Sequence, residues 1–394
     1  MAFPPPPKPK SILDYHRVLS PTAGIRVSPL CLGAMNFGDA WKGWMGECNK
    51  ETVFEILDYF YEKGGNFIDT ANNYQNEQSE AWIGEWMEMR GVRDQIVLAT
   101  KFSCPYRSGS DPKAIQSNYT GNHTKSLAVS LAASLKKLRT TYVDVLYLHW
   151  WDFTTSIEEI MKSLDALADQ GKILYLGVSD TPAWIVSKAN QYARDHGMRQ
   201  FVVYQGKWSA ADRDFEREII PMCRGEGLAL APWANIVFGH LLTKRQGALG
   251  GGFFKTEEQR KSQEGRNFGP MAVSEVHLKV SAVLEKVAKQ KETIMTSVAL
   301  AYVMHKTPNV FPIIGGRKIQ HLKGNIEALS LKLSPEEIEE IENAYPFDYG
   351  FPLNFLFMGQ KVPSQKGSDV FLIKMAHCLD VNDPPKPIEP RSLS

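Results

Sequence analysis

Short apolar runs alternate with amphipathic stretches along this chain from about residue 28. The strand candidates are "LCLGAM" (30–35), "NFIDT" (66–70), "IVLATK" (96–101), "VDVLYLHW" (143–150), "ILYLGVSD" (173–180), "FVVYQG" (201–206), "LALAPW" (228–233) and "VFPIIGG" (310–316). Most are rich in Val, Ile and Leu without strict alternation, the pattern of parallel strands buried on both faces. Between them, "TVFEILDYFYEKGG" carries apolar residues at helical spacing and ends in glycine, a C-terminal stop. "TKSLAVSLAASLKKL", "SIEEIMKSLDALADQGK" and "PAWIVSKANQYARDHG" repeat the theme, the last with Pro at its start and Gly at its end. "EREIIPMCRGEG" is less regular because Pro221 falls inside it. "EVHLKVSAVLEKVAKQ" and "TSVALAYVMHK" supply helices before the eighth strand, and "HLKGNIEAL" follows it.

Eight strands separated by helices predict an α/β fold, a (β/α)8 TIM barrel. A doubly wound sheet fits less well, since no GxGxxG follows any predicted strand. Polar, turn-rich stretches at 102–123 and 239–272 predict long strand-to-helix loops on the side of a barrel that carries function. The expected organisation is a proline-rich arm (1–14), the barrel (15–345) and a C-terminal tail (346–394). That tail is expected to cross the barrel surface and to end in a mobile "DPPKPIEPRSLS".

Composition narrows the partners. With 43% hydrophobic and 23% charged residues and a formal net charge of +1, the chain has no general attraction to nucleic acid or anionic membranes. No apolar run reaches the ~18 residues of a membrane span, and "MAFPPPPKPK" lacks a signal-peptide core. Cys31, Cys48, Cys104, Cys223 and Cys378 form no CxxC pair and no metal-ligand spacing, as expected of reduced thiols in a cytoplasmic protein. A small-molecule substrate is expected, with no metal and no obligatory protein partner.

Candidate chemistry begins in "FIDTANNYQNEQSE" (67–80), where an apolar run turns abruptly polar. Asp69 ends the second strand, Tyr74 follows in its loop, Lys101 ends the third and His149 the fourth. Singly, each has an ordinary reading: a cap, a packed ring, a solubilising charge, a buried imidazole. Together they fall at the C-terminal ends of adjacent strands, where barrel active sites form. A Tyr hydroxyl, with a reference pKa of about 10, needs help to exchange a proton near neutrality. A buried Lys ammonium is expected to lower that pKa, and an Asp carboxylate to hold the Lys charged. His149 could hydrogen-bond a substrate oxygen or relay the proton. The set suits protonation of an oxygen that becomes negative when a carbonyl accepts hydride.

"FIDTANNY", "LATKF", "YLHWWD", "LGVSD", "APWANIVFGHLLTK" and "PIIGGRKIQHLKGNIEAL" occur in one order over roughly residues 15 to 345. In them the chain resembles the aldo-keto reductases, most closely the fungal aryl-alcohol dehydrogenases. The resemblance implies a catalytic tetrad of Asp69, Tyr74, Lys101 and His149, and NADP(H) lying extended across the barrel mouth beside Asp69. It places Ser179, Asp180 and Gln205 at the nicotinamide carboxamide, with Asp180 where family members usually have Asn. Trp233 aligns with the residue that stacks on the nicotinamide. Ala234, Asn235, Ile236, Gly239, Leu241 and Lys244 would wrap the pyrophosphate. Gly315 and Gly316 would let the backbone approach the adenosine end, Arg317 or Lys318 would engage a 2′-phosphate, and His321 and Asn325 would lie near the adenine.

For substrate, His149 and a neighbouring aromatic are expected. Strand alternation from His149 favours Trp151 over Trp150, with Phe102, Tyr106 and "FPLNFLF" as further walls. Such walls suit aryl aldehydes, and equally a quinone or polyketide ketone. The implied activity is interconversion of aryl alcohols and aldehydes. The alternatives are a fungal polyketide ketone reductase similar to norsolorinic acid reductase, a redox-sensing NADPH-binding subunit similar to potassium-channel β subunits, and a Schiff-base aldolase using Lys101.

Overall fold

Side-chain phase along the strands builds this molecule. The computed structural model describes residues 5, 7–233, 275–359, 367–376 and 379–392. Eight strands form one sheet: β3 (Cys31–Gly33), β4 (Phe67–Asp69), β5 (Val97–Phe102), β6 (Val143–Leu148), β7 (Ile173–Ser179), β8 (Phe201–Lys207), β9 (Ala229–Trp233) and β10 (Ile313–Ile314). All neighbours are parallel, in the order β10-β3-β4-β5-β6-β7-β8-β9. A parallel bridge between Leu230 and Val310 joins the two ends of that order and closes the barrel. After a short helix α1 (Lys42–Met45), helices α2 (Lys50–Glu62), α3 (Gln78–Arg90), α4 (Thr124–Lys137), α5 (Ile157–Asp169), α6 (Ala183–Asp195) and α7 (Ile219–Glu226) alternate with the strands. Pro221 is tolerated in the first turn of α7, where its missing N–H would have had no partner within the helix. The expected (β/α)8 barrel is therefore the fold.

Within each strand, alternate residues serve two different cores. Leu98 and Phe102 of β5, and Leu146 and Leu148 of β6, pack outward against the helices. Val97, Ala99, Val145 and Tyr147 fill the barrel interior with Phe67, Val203, Ala229 and Ala231. Gly177 makes room for the Tyr147 ring, since a Cβ there would lie 2.5 Å from its Cδ1. Continuing the inward series by two residues gives Asp69 on β4, Lys101 on β5, Gln205 on β8 and Trp233 on β9. The same phase that fills the interior thus aims these polar side chains into its upper end.

The lower end holds an element that the hydrophobic pattern did not predict. β1 (Arg17–Ser20) and β2 (Ala23–Val27) form an antiparallel hairpin, and Leu19, Ala23 and Val27 close the bottom of the inner core. Its strands are short and half exposed, so they lack a legible apolar run.

The tail is pinned beside the loop after β8. Arg217 donates to the carbonyls of Asp348 and Tyr349 at 2.9 and 3.0 Å, and the Tyr349 hydroxyl donates to Glu216 at 3.3 Å. Further along the tail, Ile388 and Arg391 sit at the hairpin side of the barrel, with Arg391 4.9 Å from the Tyr15 ring centroid. That cation–π contact ties the end of the tail to the segment before the hairpin. Among the described residues no helix is long and apolar enough to cross a membrane.

Candidate active site

Lys101 is buried at the end of β5 with each of its three ammonium donors taken. It donates to Asp69 Oδ2 at 2.5 Å, to the Thr70 carbonyl at 2.8 Å and to the Tyr74 hydroxyl at 3.1 Å. Asp69 accepts a second bond, 2.9 Å from Gln205 Nε2 across the barrel. Because Tyr74 accepts from Lys101, its own proton is left to point elsewhere. His149 lies one residue beyond β6, its ring 6.1 Å from that of Tyr74. The structure thus brings together the four residues expected from the sequence.

Their charge states follow from burial and one cation. Burial works against the Lys101 ammonium, but Asp69 and Tyr74 outweigh it and hold the group above its ordinary range. Burial pushes the Tyr74 phenol up to about 12 although Lys101 pulls it down. The expected net lowering is therefore corrected: desolvation of the phenolate exceeds the attraction of the ammonium. Burial, helped by Lys101, drives the His149 pKa well below the ordinary value, so the imidazole is neutral. A protonated phenol and a neutral imidazole, both facing one space, are suited to hydrogen-bond and protonate an oxygen.

The polar run after Tyr74 now has a physical reason. Gln75, Asn76 and Glu77 all adopt left-handed backbone, with φ of 53°, 50° and 79°. Such residues cost about 1–3 kcal/mol each and persist only where their surroundings fix them. Here the side chains do so. Gln75 donates to the Met35 carbonyl at 3.1 Å and accepts from the Trp41 backbone at 2.8 Å. Asn76 accepts from the Trp41 indole at 3.0 Å, and Glu77 pairs with Lys137 at 3.0 Å. The turn holds Tyr74 in place and brings Trp41 edge-on to it, 6.3 Å between ring centres.

A cavity of about 500 Å³ opens over these groups, lined by Trp41, Tyr74, His149, Trp150, Asp180 and Trp233 among others. The expected aromatic wall needs correction. Trp150 lines the cavity, tilted against His149 at 4.9 Å, whereas Trp151 is half buried against the outer core. β6 ends at Leu148, so two-residue alternation does not extend to these positions. Asn122 takes over instead, donating to the Trp150 carbonyl and accepting from the Asp152 N–H, both at 2.8 Å. Phe102 is buried in the outer core, Tyr106 packs edge-on to Tyr119, and none of "FPLNFLF" lines the cavity. Trp41 and Cys104 were not singled out from sequence; Trp41 was legible as an aromatic in the loop after a barrel strand.

On the cofactor side, Ser179 donates to Asp180 Oδ2 at 2.7 Å and Trp233 Nε1 to the same oxygen at 3.3 Å. Burial raises the Asp180 carboxyl to about 6, against those two bonds. Gly315 lines the cavity, and the Gly316 carbonyl accepts from Asn36 at 2.6 Å. Arg317 is half buried with its guanidinium laid on Gly46, and its buried Nε has no hydrogen-bond partner among the described residues. Lys318 is exposed, while His321 and Asn325 lie one turn apart on the helix Ile319–Glu327. Ala234, Asn235, Ile236, Gly239, Leu241 and Lys244 lie outside the described residues. A polar, aromatic rim joined to an arginine with an orphaned donor fits an extended anionic dinucleotide.

Comparison with known proteins agrees with this geometry. The aldo/keto reductase family matches residues 29–346. The chain is 58% identical over 385 residues to norsolorinic acid reductase B of Dothistroma septosporum, covering 95% of this chain and 94% of that protein. It is 54% identical to norsolorinic acid reductase of Aspergillus flavus, covering 99% and 97%. It is 49% identical to aryl-alcohol dehydrogenase [NADP(+)] of Phanerodontia chrysosporium, covering 94% of each. The chain belongs to the aldo/keto reductase family and is an oxidoreductase of the kind that uses NAD(P)H.

Proposed function

We propose that this protein interconverts aryl alcohols and aryl aldehydes with NADP(H), with Tyr74 as the general acid and base. The observation that carries the reading is the Tyr74 hydroxyl, which accepts from buried Lys101 at 3.1 Å and faces a cavity walled by Trp41 and Trp150. The reduced nicotinamide supplies hydride when bound. Ser179, Asp180 and Gln205 would hold its carboxamide, Trp233 would pack on its ring, and Arg317 would take the 2′-phosphate. Tyr74 donates its proton to the substrate oxygen as charge grows there. Lys101 steadies the phenolate left behind, and Asp69 keeps Lys101 charged. His149, neutral, donates a hydrogen bond to the same oxygen. The cytoplasm is the proposed location.

The norsolorinic acid reductase relatives favour a second reading, reduction of an aryl ketone on a polycyclic substrate. A cavity of about 500 Å³ with two indole walls admits either class. A panel of benzaldehydes, polycyclic aryl ketones and short aliphatic aldehydes with NADPH separates them. Aryl aldehydes are expected to give the highest kcat/KM; a clear lead for the polycyclic ketones selects the second reading, and a lead for aliphatic aldehydes rejects both.

Tyr74→Phe removes one proton donor and little volume. Carbonyl reduction is expected to fall by at least ~100-fold, with NADPH binding nearly intact. Near wild-type turnover by a folded Tyr74→Phe protein removes Tyr74 from the mechanism.

Charge-assisted hydrogen bonds contribute roughly 1.5–3 kcal/mol, so Arg317→Ala is expected to weaken NADPH by about tenfold or more. NADH, lacking the phosphate, should be much less affected in a fluorescence titration. Equal weakening of the two coenzymes shows that Arg317 does not read the phosphate.

A further inference from the structure

Nδ1 of His149 lies 3.2 Å from the sulfur of Cys104, and both side chains are buried. The two groups are held there from opposite sides. Cys104 sits just beyond β5, where Asn72 donates to its carbonyl at 3.4 Å and to Ser130 Oγ at 2.7 Å. The backbone N–H of His149 donates to the Phe102 carbonyl at 3.2 Å. Among the described residues, neither the Cys104 thiol nor Nε2 of His149 has another hydrogen-bond partner. Nε2 is not a buried orphan, and His149 lines the cavity, so that nitrogen opens toward it.

One short contact then fixes two protons. Burial raises the Cys104 thiol to about 12 against the pull of Lys101, so the sulfur keeps its proton. His149 is neutral, with one ring nitrogen protonated and one bearing a lone pair. If Nδ1 carried the proton and donated to sulfur, the S–H would have no acceptor. Nε2 would then present its lone pair to an oxygen that is becoming negative. If the S–H donates to Nδ1, both groups are satisfied and Nε2–H faces the cavity.

We propose that Cys104 is a positioning residue that fixes His149 as the Nε2–H tautomer, so that the imidazole offers a donor to the substrate oxygen. The role rests on the reading of His149 as the group that hydrogen-bonds the carbonyl. Removing one oxyanion donor outright costs about 10²–10³ in kcat. Losing only the tautomer bias leaves a mixture in which about half of the imidazoles still carry Nε2–H, so a much smaller fall, about twofold, is expected of Cys104→Ala. Serine keeps an O–H donor at this position and is expected to restore most of the rate.

The test uses the full chain labelled with ¹⁵N-histidine, with the His149 signals assigned by their loss in His149→Gln. At neutral pH the wild-type spectrum is expected to show a protonated Nε2 and an unprotonated Nδ1. In Cys104→Ala both nitrogens should move toward averaged tautomers, and kcat should fall while the KM for NADPH holds. Cys104→Ser should keep the wild-type pattern. A wild-type His149 protonated on Nδ1 overturns the proposal, as does a Cys104→Ala protein that keeps both its nitrogen shifts and its kcat. The wild-type spectrum is read without turnover, so the tautomer assignment and the carbonyl-reduction reading fail separately. Should Cys104→Ala not fold, the wild-type and Cys104→Ser spectra still decide.

Discussion

A lysine ammonium wholly withdrawn from solvent is the constraint around which the upper end of this barrel is arranged. Burying such an ion and its partner costs several kcal/mol each, and only near-complete hydrogen bonding offsets that. Lys101 meets the condition with three acceptors drawn from β4 and the loop after it. Asp69 meets it with Lys101 on one oxygen and Gln205 of β8 on the other. The pair therefore ties three strands together at the height where the inner core stops being apolar.

That single charge also sets its neighbours. It adds to the burial that keeps His149 neutral, opposes the burial that raises Tyr74, and pulls on the Cys104 thiol. For Tyr74 and Cys104, desolvation wins over Coulomb attraction, so both keep their protons. The outcome is a buried ion pair with two neutral groups, Tyr74 and His149, facing one cavity. Strain in the turn Gln75–Glu77 is the mechanical counterpart. Side chains of that turn anchor the segment carrying Trp41, so the wall of the cavity and the seat of Tyr74 are one construction.

Much of this was legible in the sequence because barrel strands impose a simple rule. Val97, Ala99 and Lys101 share one phase, as do Phe67 and Asp69, so a charged residue closing an apolar run had to project inward at the mouth. The rule failed where the strand stopped. Trp150 and Trp151 follow Leu148, and hydrogen bonds from Asn122, far away in sequence, decide which indole faces the cavity. The direction of the Tyr74 shift was illegible for a related reason. Sequence shows that a lysine is near, but the balance between its attraction and desolvation depends on burial that only the fold supplies. The β1–β2 hairpin escaped notice because four- and five-residue strands with exposed positions carry too little apolar signal.

On the proposed mechanism the buried pair serves proton transfer as well as clamping the strands. Removing one partner alone would strand a buried charge, and lost activity would then be ambiguous. The double replacement Asp69→Asn with Lys101→Met removes both charges at similar volume, which such sites often tolerate. Turnover of an aryl aldehyde by this variant, measured beside its melting temperature and NADPH affinity, is the direct measurement. The expected result is a folded protein that binds NADPH and reduces the aldehyde at least ~100-fold more slowly. A folded double variant that retains wild-type turnover would contradict it.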